Sequence, residues 1–484
     1  MDDFGITAYG AYIPRLRIDR AAIAAAHGWM APSLKAAAKG SRSFCSWDED
    51  AITMAVEAAR DCVPEADRGL IETLLLASTT LPYADLQSGA IVAGALGLCD
   101  SIASADIAHS QRAGTSALLL GLRGRQRALV VASDQPNAKA ASIQELSYGA
   151  GAAALSLGHE GVIAAFMGAS TITTTFVDHF RATESKYDYF WEERWIRDEG
   201  YMKLVPPTLN SALANAGVPI GAISHFVMPS MQRGAAEAVA KKVGFAGSIS
   251  NVLDGACGYA GAAHPLLMLA HTLEQAKAGE IILLIGFGQG VDAIVLRVTP
   301  AIEKLRRGRG VSGALADKVQ TDSYLRMLSY AGGIDVEWGM RAEKSGKTAL
   351  TEQYRSADQT AAFVAGRCRS CGTVQFPQLQ YCVKPGCHKP ASQFEPVSLV
   401  DAPCQVLTFT ADWLSYHPAP PLYVGFVQYE NGARLLMEIV DVGAAGIDVG
   451  TRLRNVFRVK EIDRPRGYKR YFWKATPIAV TGVQ

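Results

Sequence analysis

The sequence predicts an α/β protein that is followed by a cysteine-rich ribbon and a small β-barrel. Up to about Pro300, short apolar strands alternate with alanine-rich helical segments, the pattern of sheets covered by helices on both faces. Four cysteines then cluster between Cys368 and Cys387. From Ala402 onward the chain is rich in predicted strands, with Asn431-Gly432 as a hairpin turn signal. The 484 residues leave room for about three structural units.

Composition and charge exclude several classes of protein. Lysine and arginine number 47 and aspartate and glutamate 46, so the chain lacks the basic excess that nucleic-acid binding needs. The N-terminus shows no apolar run behind a basic segment, and no stretch is long and apolar enough for a membrane span. Nine cysteines without an export signal argue against a disulfide framework. We therefore expect a cytoplasmic protein with neither nucleic acid nor a membrane as partner.

The α/β part contains an internal repeat. Residues 105–132 follow the order strand, turn, small residues, apolar helix and strand. Residues 248–287 repeat this order, with a strand at 250–254 and the helix HPLLMLAHTLEQ at 264–275. Two such units predict a duplicated α/β domain, and the alternative is two ordinary buried helices that begin with small residues. Segment 48–63, with acids before helically spaced apolar residues, predicts a further core-facing helix.

These patterns divide the chain into five segments. The change in composition after Pro300 and the Gly332-Gly333 break mark the end of the α/β part. The predicted boundaries are 1–160 and 161–335 for the two halves, 336–362 for a linker with helix, 363–395 for the ribbon and 396–484 for the barrel.

The cysteine cluster has the spacing of a metal site. Cys368 and Cys371 form one CxxC pair, and Cys382 and Cys387 follow after ten intervening residues. Four thiolates satisfy tetrahedral Zn(II) and leave no open position for a substrate. The spacing predicts structural zinc, the alternatives being iron or an empty ribbon, and the adjoining His388 could replace the last cysteine as ligand.

Both halves place polar or thiol residues near a predicted helix start. The unpaired N–H groups and partial positive charge of a helix N-terminus can hold an oxyanion or activate a nucleophile. In the first half, Gln111 lies within the run SQRAGT; in the second half, Cys257 lies within ACGYAG.

Several separated motifs occur together in the order of a known family. They are the runs DIAHSQRAGTSALLLGL, RALVVASDQP, ELSYGAGAAALSLG and GYAGAAHPLLMLAHTLEQAKAGEIILLIGFGQGVDA. The chain over about residues 4–335 resembles the thiolase superfamily, and within it the 3-hydroxy-3-methylglutaryl-CoA synthase branch. The remainder resembles the acyl-CoA-associated proteins in which a rubredoxin-like zinc ribbon precedes an OB-fold. The resemblance implies a layered α-β-α-β-α thiolase fold, an acyl-CoA thioester substrate and a homodimer.

At four positions the chain departs from what the resemblance implies for catalysis. Gln111 stands where the branch has its cysteine nucleophile, and Thr79 stands at or near the position of the general-base glutamate. The expected histidine falls at about Pro229, with His225 four residues earlier, and the expected asparagine falls at Cys257. A carboxamide cannot form the usual acyl-enzyme, because it is not a comparable nucleophile.

The candidate catalytic residues are Gln111, Cys257, Tyr259, His109 and His225. Gln111 could position a thioester carbonyl or be a neutral remnant, and Cys257 could be an activated thiol or a small buried residue. Tyr259 could donate or accept a proton or pack in the core, as could Tyr148 and Tyr83, while His109, His225 and His264 could be structural.

The candidate residues for binding CoA are glycines, namely Gly114, Gly261, Gly288 and Gly290, at the two helix starts and in the loop GFGQG. By resemblance, this loop lies beside the active site. The basic run 304–309 is a solvated face or a strip that holds CoA phosphates. The aromatic run YDYFWEERW at 187–195 covers a bulky substrate, or it belongs to an interface or the core.

These features lead to a prediction of aldol or retro-aldol chemistry next to a CoA thioester, without an acyl-enzyme. A second hypothesis keeps acyl transfer, as in hydroxymethylglutaryl-CoA synthases or ketoacyl synthases, with Cys257 as the displaced nucleophile. A third is a non-catalytic scaffold that pairs with an active thiolase-like subunit.

Overall fold

The structure is a computed structural model that describes residues 4–305, 308–342 and 347–478. The chain forms two compact units, one of Met1–Ser46, Asp50–Ala90 and Cys99–Ile334, the other of Trp47–Glu49, Ile91–Leu98 and Asp335–Gln484. Two arginines of the basic run, Arg306 and Arg307, lie outside the described residues. Within the described ranges, no helix is long and apolar enough to cross a membrane.

The first unit is built from mixed strands and helices. Its strands are β1 (Gly5–Tyr12), β2 (Leu16–Asp19), β3 (Ser41–Ser43), β4 (Thr73–Ala77), β5 (Ala103–Ile107), β6 (Ala128–Asp134), β7 (Gly151–Gly158), β8 (Ala164–Thr173), β9 (His179–Phe180), β10 (Tyr189–Phe190), β11 (His225–Val227), β12 (Ser248–Ile249), β13 (Ile281–Phe287), β14 (Gly290–Val298) and β15 (Val319–Thr321). Its helices are α1 (Arg20–Ala26), α2 (Ala51–Cys62), α3 (Ser88–Leu96, which runs into the second unit), α4 (Ala113–Gly124), α5 (Ile143–Ser147), α6 (Glu193–Trp195), α7 (Met202–Ala216), α8 (Ala235–Lys242), α9 (Asp254–Cys257), α10 (His264–Gln275), α11 (Gly310–Ala316) and α12 (Tyr324–Tyr330).

The main sheet of this unit consists of two matching halves. Its order is β12-β11-β13-β14-β8-β1-β7-β6-β4-β5. Reading outward from the centre, β1, β7, β6, β4 and β5 correspond to β8, β14, β13, β11 and β12. In each half the three outer strands are parallel and the two inner pairings are antiparallel. This symmetry confirms the predicted duplication.

Two buried helices occupy equivalent places in the halves, since α4 connects β5 to β6 and α10 connects β12 to β13. Both contribute to one apolar cluster. The predicted helix at 264–275 is confirmed residue by residue as α10. The predicted helix at 48–63 is confirmed as α2, whose start is closed by reciprocal hydrogen bonds between Asp50 and Thr53.

The predicted strand at 250–254 is wrong. The strand in this region is β12, two residues long and earlier in the chain. The Asn251 side chain accepts a hydrogen bond from the Leu253 amide at 2.9 Å, and Leu253 adopts a left-handed backbone with φ 57°. This local turn ends the extended chain and starts the short helix α9, because asparagine competes for backbone hydrogen bonds in turns.

The second unit contains a three-stranded sheet and a barrel. Its elements are α13 (Leu350–Arg355), α14 (Ala357–Thr360), β16 (Val364–Cys368), β17 (Val374–Gln375), β18 (Phe394–Ser398), β19 (Cys404–Asp412), β20 (Leu422–Tyr429), β21 (Arg434–Ile439), β22 (Arg452–Asp463) and β23 (Tyr468–Pro477). The sheet has the order β17-β16-β18, and β19-β20-β21-β23-β22 close into a barrel. The five-stranded barrel confirms the predicted OB-type architecture, and Asn431-Gly432 forms the turn between β20 and β21.

Candidate functional site

A cavity of about 200 Å³ lies in the first unit beside the start of α4. Polar side chains and aromatic rings share its lining. The lining residues are Gln111, Ile143, Gln144, Ser147, Asp178, His179, Phe190, Trp191, Glu193, Ile196, Tyr201, Met231, Gln232, Tyr259 and Phe287. Of the predicted catalytic residues, the structure brings Gln111 and Tyr259 together in this cavity.

Gln111 immediately precedes the N-cap of α4, which is Arg112. The Arg112 guanidinium donates to the buried carboxylate of Asp292 at 2.9 Å, and this pair fixes the start of the helix. Gln111 is 7% exposed, and among the described residues its Oε1 has no hydrogen-bond partner. A buried amide oxygen without a partner is costly, so it is available to a group that enters the cavity.

His179 is the functional candidate that the sequence did not reveal. Its Nε2 lies 3.2 Å from Nε2 of Gln111. Its Nδ1 lies 3.1 Å from the Asp178 carboxylate, at ion-pair distance, and its ring stacks on Phe190 with centroids 5.2 Å apart. Because the Gln111 amide is the donor, the facing ring nitrogen is an acceptor, and the proton of the neutral ring then faces Asp178.

The electrostatic surroundings of His179 favour its protonated form. Burial lowers the pKa of the imidazole, but the hydrogen-bonding and charge interactions with Asp178, together with the charge of Asp188, outweigh burial and the opposing charge of Arg181. Together these interactions raise the pKa of the His179 imidazole above its usual value. A histidine with a raised pKa and a carboxylate behind it is a typical general acid or base.

The β9–β10 hairpin that carries His179 is tied to the core of its unit. Asp188 accepts a hydrogen bond from the Tyr148 hydroxyl at 2.6 Å and from Arg181 at 2.7 Å. Arg181 also donates to the carbonyl of Thr79. Burial and the neighbouring Asp188 raise the pKa of Tyr148, so this phenol stays protonated as a donor. The aromatic run 187–195 thus supplies cavity lining and the anchor of the hairpin.

Cys257 occupies a different environment from the one hypothesised. It is the last residue of α9, seven residues before α10 begins, and does not precede a helix N-terminus. The thiol is 1% exposed, lies 3.5 Å from the carbonyl of Leu253, and is not part of the cavity lining. Burial raises its pKa to about 11, the opposite of the shift that activates a thiol.

Tyr259 and His264 lie together at the start of α10, with ring centroids 4.7 Å apart. Tyr259 lines the cavity, and burial raises the pKa of its phenol. His264 is buried, its Nε2 lies 2.7 Å from the carbonyl of Val252, and its Nδ1 accepts a hydrogen bond from the Ala260 amide. Burial lowers the pKa of His264 to about 4, so this ring is a neutral structural element.

The other two predicted histidines do not line the cavity. His109 is exposed and adopts a left-handed backbone with φ 67°. His225 begins β11, and its Nε2 lies 2.8 Å from the Glu280 carboxylate.

A buried carboxylate lies beside the threonine that stands at the expected position of the general base. Asp134 accepts hydrogen bonds from the amide and hydroxyl of Thr79 at 3.1 and 2.8 Å, and from the amide of Ala262 at 2.9 Å. Burial raises its pKa, and these donors oppose the shift. With this many internal partners, Asp134 joins the two halves of the unit and is closed to a substrate.

The four predicted CoA-binding glycines share a packing role. A Cβ on Gly114 would overlap the carbonyl oxygen of Ala262, and a Cβ on Gly261 would overlap the Asp134 carboxylate. Gly290 packs in the same way on the backbone of β8. A Cβ on Gly288 would lie 3.2 Å from Cβ of Gln111, so of the four it is this glycine that borders the candidate catalytic residue.

The four clustered cysteines meet in the second unit, with their sulfurs all within 4.8 Å of one another. The Sγ atoms of Cys371 and Cys382 are 3.5 Å apart, and those of Cys368 and Cys387 are 3.8 Å apart. Tetrahedral zinc with bonds of about 2.3 Å separates its sulfur ligands by about 3.8 Å. The donor set and its spacing fit a structural zinc ion.

Comparison with protein families and sequences gives consistent matches. Residues 213–298 match the family described as 3-oxoacyl-[acyl-carrier-protein] synthase III C terminal. A hydroxymethylglutaryl-CoA synthase of Methanosarcina mazei is 31% identical over 353 residues, which is 68% of this chain and 98% of that protein. Another from Aeropyrum pernix is 30% identical over 318 residues, covering 62% of this chain and 87% of that protein.

Solved structures with the same fold support these matches. MvaS in complex with 3-hydroxy-3-methylglutaryl coenzyme A superposes with a TM-score of 0.58 at 18% identity, covering 68% of this chain and 92% of that one. The 3-oxoacyl-(acyl carrier protein) synthase III of Pseudomonas aeruginosa has a TM-score of 0.54 at 19% identity, covering 61% and 98%. The first unit therefore has the thiolase fold, and the chain belongs to the hydroxymethylglutaryl-CoA synthase family of the thiolase superfamily.

Proposed function

We propose that this protein is an acyl-CoA enzyme that makes or breaks a carbon–carbon bond next to the thioester by acid–base chemistry, without an acyl-enzyme at residue 111. The contact between Gln111 and His179 inside the cavity, with Asp178 behind the imidazole, carries this proposal. The resemblance implies a cysteine nucleophile where Gln111 stands, and a carboxamide cannot take that role. An aldol step needs only a base, a hydrogen-bond donor for oxygen and a proton source.

In the cleavage direction, His179 Nε2 takes the proton of a β-hydroxyl group. The Cα–Cβ bond breaks, and its electron pair moves onto the thioester as an enolate, while the former hydroxyl carbon becomes an aldehyde or ketone. The enolate then takes a proton at Cα from the protonated His179, which gives a shorter acyl-CoA and restores the neutral imidazole. Gln111 holds a substrate oxygen by hydrogen bonding, and the reverse sequence is aldol addition.

The test of this function is a cleavage assay of the purified full chain with β-hydroxyacyl-CoA thioesters. The carbonyl product is trapped as a hydrazone, and the acyl-CoA product is separated by chromatography. We expect both products in equal amounts, or β-hydroxyacyl-CoA formation when the carbonyl compound and acyl-CoA are supplied. The absence of product in both directions would overturn the proposal.

The relatives favour a second function, acyl transfer of the kind named for the hydroxymethylglutaryl-CoA synthases. Its nucleophile in this chain would be Cys257. That function requires the Cys257→Ala variant to lose all turnover and the Gln111→Ala variant to keep it. The burial and raised pKa of the Cys257 thiol favour the acid–base proposal.

We also propose that Cys368, Cys371, Cys382 and Cys387 bind one structural zinc ion. Metal analysis of the purified protein should give one zinc per chain, and Cys371→Ser should lower that content and destabilise the second unit. The control is Cys99→Ser, at an exposed cysteine outside the cluster. Full zinc content in the Cys371→Ser variant would contradict this site.

The homodimer implied by the resemblance is tested by light scattering on the same preparation.

A further inference from the structure

The charges around the cavity limit the kind of acyl group it can hold. The described residues that line it include two carboxylates, Asp178 and Glu193, and one imidazole, but neither lysine nor arginine. Arg112 and Arg181 lie on nearby segments and already bind carboxylates, Asp292 and Asp188 respectively. Arg194 and Arg233 follow the lining residues Glu193 and Gln232 in the chain, but both are exposed and neither is part of the described lining. Even with the imidazole protonated, the ionisable groups of the lining carry a net negative charge.

A second carboxylate on the substrate would meet neither lysine nor arginine among the described lining residues, and the one imidazole there already pairs with Asp178. Transferring an ionised carboxylate from water into a partly buried cavity is costly unless a cation or several donors pair with it. Repulsion from Asp178 and Glu193 adds to that cost. An acyl group ending in a free carboxylate, such as the 3-hydroxy-3-methylglutaryl group of the compound in the MvaS structure, is therefore disfavoured in this chain.

The rest of the lining favours a flat apolar group. Five of its fifteen side chains are aromatic, with Phe190 stacked on His179 and Tyr201 stacked on Phe287 at 4.1 Å between centroids. The other two rings belong to Trp191 and Tyr259. Aromatic walls bind planar rings by stacking in addition to apolar burial.

Resting on the proposed function, we propose that the acyl group of the substrate is uncharged and carries an apolar ring, in contrast to the dicarboxylic acyl group named for a solved relative. In the cleavage direction the carbonyl product is then an aldehyde or ketone that bears this ring, or the shorter acyl-CoA bears it. Trp191 is the specificity-determining residue that offers an exposed ring face at the cavity, being 54% exposed.

The experiment measures equilibrium binding of thioesters that lack a β-hydroxyl group, so that its outcome does not depend on turnover. Isothermal titration of the full chain compares 3-phenylpropanoyl-CoA, hexanoyl-CoA and glutaryl-CoA. We expect the phenyl compound to bind at least about tenfold more tightly than glutaryl-CoA, with hexanoyl-CoA between them. Equal or tighter binding of glutaryl-CoA would overturn the charge argument, and equal binding of the phenyl and hexanoyl compounds would overturn the ring argument.

Three variants sharpen the result. Trp191→Ala should remove most of the phenyl preference, while Tyr189→Ala, which changes an exposed ring of the same hairpin outside the lining, should keep it. Gln232→Lys adds a cation to the lining and should improve glutaryl-CoA binding selectively. Retention of the phenyl preference in Trp191→Ala would contradict the role of that ring. If the ligands bind as expected but no β-hydroxyacyl-CoA is cleaved, the proposed function fails and the specificity stands.

Discussion

The two helix starts of the duplicated fold match in packing and differ in chemistry. At the first, Gly114 packs on the carbonyl of Ala262; at the second, Gly261 packs on Asp134, so each half uses a glycine to approach the other. The first places the amide of Gln111 at the cavity directly before its helix, whereas the second contributes the phenol of Tyr259 to the lining. The second turns Cys257 into the core. Duplication has thus preserved the close packing of the halves while the reactive groups diverged.

The largest expected effect is the loss of activity on substitution of His179 inside the cavity, compared with a histidine outside it. His179→Ala removes the proposed base and should lower kcat/KM by about 10²- to 10⁴-fold, the usual contribution of general acid–base catalysis. Steady-state kinetics on the cleavage reaction measure it, with His225→Ala as the matched control, since that ring lies outside the cavity. Loss of less than about threefold in His179→Ala would contradict its role.

A second prediction tests the packing that the two halves share. Gly114→Ala places a methyl group 2.3 Å from the carbonyl oxygen of Ala262, so either helix α4 or the turn before α10 must shift. We expect a loss of about 1–3 kcal/mol in the free energy of unfolding, measured by denaturant titration. The control is Gly124→Ala at the end of the same helix, where the new methyl group meets nothing within 4 Å. Equal stability of the two variants would show that the halves do not depend on this contact.

The pH profile tests the pairing of His179 with its carboxylates. A general base acts in its neutral form, so kcat/KM should rise as the pH passes the pKa of His179, which lies above its usual value. In Asp178→Asn, the neighbouring Asp188 still raises this pKa, while burial and Arg181 lower it. The acid limb of the profile should therefore move to lower pH. An acid limb that stays at the same pH in Asp178→Asn would show that a group other than His179 determines it.

The smallest expected effect is at Cys257. Because this thiol lies in the core and outside the cavity lining, Cys257→Ala should change kcat/KM by less than about twofold and cost about 1 kcal/mol of stability. Kinetics and thermal unfolding of the same preparation measure both quantities. Complete loss of turnover in a folded Cys257→Ala protein would instead support acyl transfer from that residue.

Periodic patterns in the sequence predicted the elements whose packing is local. The strands β6 and β13, the helix α10 and the turn at Asn431-Gly432 follow from apolar spacing and turn chemistry. The strand predicted at 250–254 failed because a single asparagine side chain redirected the backbone. Such side chain to backbone competition leaves no periodic signal.

The sequence marked only one of the two contacting residues of the candidate site. Gln111 stood out because the family resemblance implies a cysteine there, but His179 lies 68 residues later, in a two-residue strand. The adjacent acid and histidine, Asp178-His179, beside an aromatic run are the signal that could have marked it. What brings the two together is the anchoring of the hairpin through Asp188, a contact that no local pattern encodes.

The central claim is that this chain transforms a CoA thioester without forming an acyl-enzyme, and intact-mass measurement during turnover tests it most directly. The full chain is mixed with short acyl-CoA donors or with a β-hydroxyacyl-CoA that it converts, and the reaction is quenched in acid. The intact mass of the protein is then measured, and peptide mapping locates any adduct. We predict an unmodified protein mass while product accumulates. An acyl adduct on Cys257, formed and consumed at the rate of turnover, would contradict the claim.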